Sequence, residues 1–85
     1  MAEQLRGDLV YATVERLARH LDALDSATQD LSAVTRIDSS GIALLVALAR
    51  RAHARGERLM LHHVPPQALS LIEFFGVHQI VDCRP

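Results

Sequence analysis

The chain has 85 residues, 49% of them apolar and 22% charged, the profile of one globular domain with no room for a second. Its formal net charge is −1 and all nine basic residues are Arg, so there is no basic field to draw in nucleic acid and no lysine for a Schiff base or a Walker P-loop. The one cysteine, Cys83, excludes an intramolecular disulfide, disfavours a thiolate metal site and suits a reducing cytoplasm. Met1 to Arg6 lacks the apolar core of a signal peptide, and the longest apolar run, Ile42 to Ala49, is far too short to insert into a bilayer.

Residues 3–6 suit a short strand ending at Gly7-Asp8. Val10, Val14, Leu17, Leu21 and Leu24 then recur at helical spacing, which predicts a helix over 10–24 with Glu15, Arg16, Arg19 and Asp22 on its wet face. Asp25-Ser26-Ala27 reads as a turn. Thr28 to Ile37 mixes β-branched and polar residues as a strand does, with its centre at Asp30-Leu31-Ser32. The cap-type residues Asp38-Ser39-Ser40-Gly41 precede an Ala- and Arg-rich helix that runs to Arg55 and stops at Gly56. Glu57 to Val64 offers another strand, Pro65-Pro66 opens a third helix that Gly76 ends, and Gln79 to Asp82 forms a last short strand. The order β-α-β-α-β-α-β predicts an α/β fold with a mostly parallel sheet.

Thr35 to Leu45 places an acid and two hydroxyls where a strand passes into a helix. Backbone N–H groups and the positive end of the helix dipole face outward at such a junction, so a phosphate on a hydroxyl is well accommodated there. A phosphate next to Asp38 is also repelled by it, which would give modification a switching effect. The same tetrapeptide is equally explained as a helix cap, since Asp and Ser each contribute about 1 kcal/mol in that role.

Five histidines (His20, His53, His62, His63 and His78) lack metal-ligand spacing, and His62 and His63 are expected on opposite faces of a strand. No metal or cofactor is expected. There is no Gly-x-Ser-x-Gly elbow to make Ser39 a hydrolase nucleophile, and Phe74-Phe75 is expected to fold over the core.

On these residues the chain resembles the STAS domains, named for sulfate transporters and anti-sigma factor antagonists. Leu5-Arg6-Gly7-Asp8-Leu9 is similar to the family's early turn, Asp30 to Gly41 to its central strand and signature loop, and Gly56 to Leu61 and Phe74 to Val77 to its later strand and third helix end. The resemblance implies a STAS-like fold, a mostly parallel mixed β-sheet packed against about three α-helices, non-catalytic and devoted to binding another protein. With only six residues before Gly7, the family's first edge strand is shortened or missing, which invites pairing with a second copy as a homodimer.

Two branches of the family bear on function. In anti-sigma factor antagonists a partner serine kinase phosphorylates the serine after the aspartate, the position of Ser39. In the MlaB-type branch a small STAS subunit binds the cytoplasmic ATPase of an ABC transporter, whose permease complex moves phospholipids and maintains outer-membrane lipid asymmetry. The run Arg36 to Leu45 resembles the second branch more, with Arg ahead of Ile37-Asp38 and Ala43-Leu44-Leu45 after the glycine. The chain also ends close to its last strand, where antagonists usually continue into a further helix. The resemblance therefore implies a cytoplasmic protein, peripheral at the inner face of the inner membrane through its partner, with Ser39 as phospho-acceptor or partner contact. Ile42, Leu45, Ala49 and Ala52 are expected to face the sheet. Ala43, Leu44, Ala47 and Arg51 are expected on a partner-binding surface with Leu44 as its apolar centre.

Overall fold

A computed structural model describes residues 4–84. The first strand, β1 (Gly7–Leu9), begins where the sequence pattern placed a strand end, because Gly7 has φ 70°, a left-handed turn into the strand that a side chain would oppose. The first helical stretch covers the expected residues in three pieces: α1 (Tyr11–Leu17), a 3-10 turn (Ala18–His20) and α2 (Leu21–Leu24). Val14, Leu17 and Leu21 from this stretch pack against the core, as their spacing requires.

The next strand is broken at its expected centre. β2 (Thr28–Asp30) and β3 (Val34–Ile37) flank a bend in which the Asp30 carboxylate accepts from the Ser32 N–H at 2.9 Å and the Leu31 carbonyl accepts from the Val34 N–H at 3.0 Å. Asp30-Leu31-Ser32 is thus an Asx turn, with Leu31 pushed fully into the core. Helix α3 (Ser39–Ala54), strand β4 (Leu59–His62), helix α4 (Pro66–Phe74), a 3-10 turn (Val77–Gln79) and β5 (Val81–Cys83) complete the order, the 3-10 turn taking Gln79, the first residue expected in the last strand.

Every strand pair is parallel: β1 with β3, and β2 with β4 with β5, the two ladders meeting at the bend. Among the described residues β1 has no partner on its other edge. Helix α1 packs on β1 and on α3, α3 on β3 and β4, and α4 on β3 and α3. Register then decides which side chains are wet. Gln29, Leu61 and Cys83 share a row on the packed side, while Thr28, Met60 and Asp82 share one on the outer side. Gln29, the buried polar side chain, donates from Nε2 to the Leu24 carbonyl at 2.5 Å, which satisfies both groups.

Phe74 and Phe75 do not cover the core. They are 80% and 50% exposed and stack edge to face with centroids 5.1 Å apart. Helix α4 buries Ala68 and Ile72, one turn apart, and two residues beyond Ile72 the helix has rotated by about 200°, so Phe74 points outward. His63 also departs from expectation: it lies just past β4 with φ 55°, and its Nδ1 reaches the Asp30 carboxylate at 3.1 Å.

Ion pairs hold the surface, and they set an acid dependence. The Arg36 guanidinium, then the Thr35 hydroxyl, hold Asp8 below the usual carboxylate range; Arg55 does the same for Asp25, and the Ser32 N–H leads for Asp30. Folded values below unfolded ones mean that this stabilisation is present above the unfolded carboxylate value of about 3.9 and is lost as pH falls through the lower folded values. The thermal midpoint is therefore expected to be level from about pH 7 to pH 5 and to drop below about pH 4, as a melting series followed by circular dichroism would record. A midpoint that rises on acidification would contradict these pairings.

Candidate functional site

The junction between β3 and α3 is organised by Asp38. Its backbone is extended at φ −121° and ψ −168°, and its Oδ1 accepts from the N–H groups of Ser40 at 2.8 Å and Gly41 at 3.3 Å. Its Oδ2 accepts from the Tyr11 N–H at 3.4 Å, so one carboxylate serves the first residues of both α1 and α3. The Asp38 N–H donates to the Leu9 carbonyl at 3.2 Å, which ties the junction to the end of β1. Asp38→Ala should therefore lose about 1–2 kcal/mol, the larger part from the α3 cap, while Asp38→Asn, which keeps an acceptor oxygen, should lose less than half of that. Thermal denaturation of the two variants measures the difference; equal losses would remove the carboxylate oxygen from the explanation.

Gly41 is required by proximity. A Cβ on it would lie 2.5 Å from Ile37 Cγ1, 2.5 Å from the Leu9 carbonyl oxygen and 2.9 Å from Leu9 Cβ, so only a bare backbone lets α3 approach the sheet this closely.

Ser39 is exposed and its hydroxyl makes none of the hydrogen bonds that hold the junction. The capping role thus belongs to Asp38, and among the described residues the Ser39 hydroxyl has no hydrogen-bond partner. Among the described residues the one histidine side-chain hydrogen bond joins His63 to Asp30, not to Ser39. Burial, followed by the nearby charges of Asp82 and Glu73, pushes the Cys83 thiol above its ordinary value, away from thiolate chemistry.

The outer face of α3 differs from expectation at one residue that mattered. Leu44 is 3% exposed and belongs to the core, so it is not the apolar centre of a surface. The reason is the first helical stretch, which lies along that flank: Arg51 pairs with Asp22 at 2.6 Å, and Arg55 pairs with Asp25. Arg51 is accordingly engaged within the chain and half-buried. Ala43 is exposed and Ala47 half-buried, as a surface ridge requires, and Ile42, Leu45, Ala49 and Ala52 are buried as expected. From Ser39 the ridge runs through Ala43 and Val46 to Arg50. There it meets an apolar groove of about 480 Å³ between α3 and Ile80. At the opposite, Ser39 end of the ridge stands Tyr11, whose N–H reaches Asp38; it is 70% exposed at the start of α1, and the sequence pattern did not single it out.

The strands form parallel ladders against the helices, and the aspartate-capped Ser39-Ser40-Gly41 junction stands between β3 and α3. The solved structure of the anti-sigma factor antagonist SpoIIAA in its unphosphorylated form is similar, with a TM-score of 0.61 and 22% identity over 96% of this chain and 74% of that one. The family model described as Mlab, STAS domain matches residues 4–82, and the chain belongs to that family. No curated protein matches it.

Proposed function

We propose that this chain is a non-catalytic STAS subunit that docks on the cytoplasmic ATPase of a phospholipid-trafficking ABC transporter, and through it on the permease, at the inner face of the inner membrane. The MlaB-type family match supports the branch. The observation that carries the site is that Asp38 does all the capping, which leaves Ser39 and Ala43 exposed. A partner surface laid on this ridge meets small side chains that permit close approach, with Tyr11 at one end and the Val46–Ile80 groove and Arg50 at the other. Aromatic and arginine anchors around an apolar centre are the usual composition of a binding surface. None of the described helices is long and apolar enough to cross a membrane.

A second reading has its own support in the SpoIIAA-like fold and the free Ser39 hydroxyl: phosphorylation of Ser39 by a partner serine kinase, as in an anti-sigma factor antagonist. The Ser40 and Gly41 N–H groups already belong to Asp38, so a phosphate at Ser39 would add charge next to a carboxylate and would act on the docking surface more than on the helix. Affinity purification of the tagged chain from its native cells in mild detergent, with mass spectrometry of its companions, separates the two. Recovery of an ABC ATPase with its permease supports the first; recovery of a serine kinase without transporter subunits overturns it in favour of the second.

A further inference from the structure

We propose that the depression between β1 and α1 binds a phosphoryl group, clamped by Arg6 and Arg16. The depression measures about 610 Å³, and both arginines line it together with Gln4 and Thr13. It lies at the β1–α1 turn, which the Thr13 hydroxyl holds by donating to the Asp8 carbonyl and accepting from the Val10 N–H at 3.1 Å.

Three features make the depression an anion site. Among the described residues neither Arg6 nor Arg16 has an acidic partner, whereas Arg36, Arg51, Arg55 and Arg58 are all paired. The acid among its lining residues, Asp8, is already engaged by the Arg36 guanidinium at 2.8 Å and the Thr35 hydroxyl at 2.7 Å, so among the described residues Arg6 and Arg16 supply the uncompensated charge of the depression. Gly7 also lines the depression, and a Cβ on it would meet nothing within 4 Å, so no side chain covers its backbone there. Guanidinium forks match phosphate oxygens in pairs, and two of them balance the double charge of a phosphate. Free phosphate and a phospholipid headgroup present the same chemistry. In a chain of net charge −1 this local excess of positive charge is not a by-product of a generally basic surface.

The test is a titration of the whole chain with sodium phosphate at constant ionic strength, followed by two-dimensional amide spectra. Saturable shifts confined to residues 4–8 and 13–17 are expected, with half-saturation at ~1 mM, the strength that two charge-assisted guanidinium hydrogen bonds supply. Arg16→Gln should weaken binding at least fivefold and the double variant with Arg6→Gln should abolish it, the remaining spectrum being unchanged, while the exposed Arg84→Gln binds as the parent does. Unsaturating shifts, shifts centred on α3, or binding that survives the double variant would overturn the assignment. Flotation with phosphatidylcholine vesicles, with and without phosphatidic acid, identifies the source. Phosphatidic-acid-dependent flotation lost in the double variant points to a lipid headgroup, and saturable phosphate binding without flotation points to a soluble phosphate. Flotation that persists in the double variant counts against the site.

Discussion

Gly41→Ala is expected to be the most damaging single-atom-scale change in the chain. The added Cβ would stand 2.5 Å from the Leu9 carbonyl oxygen, a backbone atom that cannot rotate away, and 2.5 Å from Ile37 Cγ1. Alanine gains about 1 kcal/mol over glycine inside a helix, but overpacking against backbone costs about 3 kcal/mol or more, so the clash wins. A domain of this size has roughly 4 to 13 kcal/mol of stability in total. A net loss of about 2 kcal/mol would lower the thermal midpoint by roughly 8 to 16 °C. Ala43→Gly, in the same turn but exposed, should lose no more than about 1 kcal/mol. A Gly41→Ala protein that melts with the parent would show that α3 does not rest on β1 and β3 as described.

The second large effect concerns binding rather than folding. Ser39→Arg adds a long charged side chain at an exposed first helical position whose hydroxyl makes none of the junction's hydrogen bonds; a cation at a helix start costs about 0.5 kcal/mol, so the melting midpoint should fall by no more than about 4 °C. If the ridge of α3 is the docking surface, the same change should weaken the complex with the ATPase at least tenfold, about 1.4 kcal/mol. Ser39→Ala should bind nearly as the parent does in the transporter role, and should abolish phosphate incorporation in the kinase role. Calorimetric titration of the three proteins against the purified partner reads these outcomes. Parent-like affinity for Ser39→Arg would move the interface elsewhere.

Most of the architecture was legible because its signals are local. Asp38 and Gly41 mark a helix start, Gly56 and Gly76 mark stops at φ 75° and 74°, and Pro66 opens α4, each through backbone chemistry that needs no neighbours. The Asp30-Leu31-Ser32 bend was also written locally, as an Asx turn, but the β-branched residues around it gave a stronger strand signal. What could not be read was what lies beside what. Leu44 and Arg51 fall on one flank of α3, and only the presence of the first helical stretch against that flank buries the leucine and pairs the arginine. Phe74 looked like core by composition, yet the phase set by Ala68 and Ile72 turns it outward. Of the candidate site, the roles of Asp38 and Gly41 were legible as types. That one carboxylate reaches the starts of both α1 and α3, and so releases Ser39 from capping, depends on a contact across 27 residues of chain.

Hydrogen–deuterium exchange of the chain, free and in complex with the ATPase recovered from its native cells, tests the docking surface most directly. Protection confined to the start of α1 around Tyr11 and to residues 38–50 is the result this account predicts. Protection on the outer face of the sheet, at Thr28, Met60 and Asp82, with residues 38–50 unchanged, would contradict it.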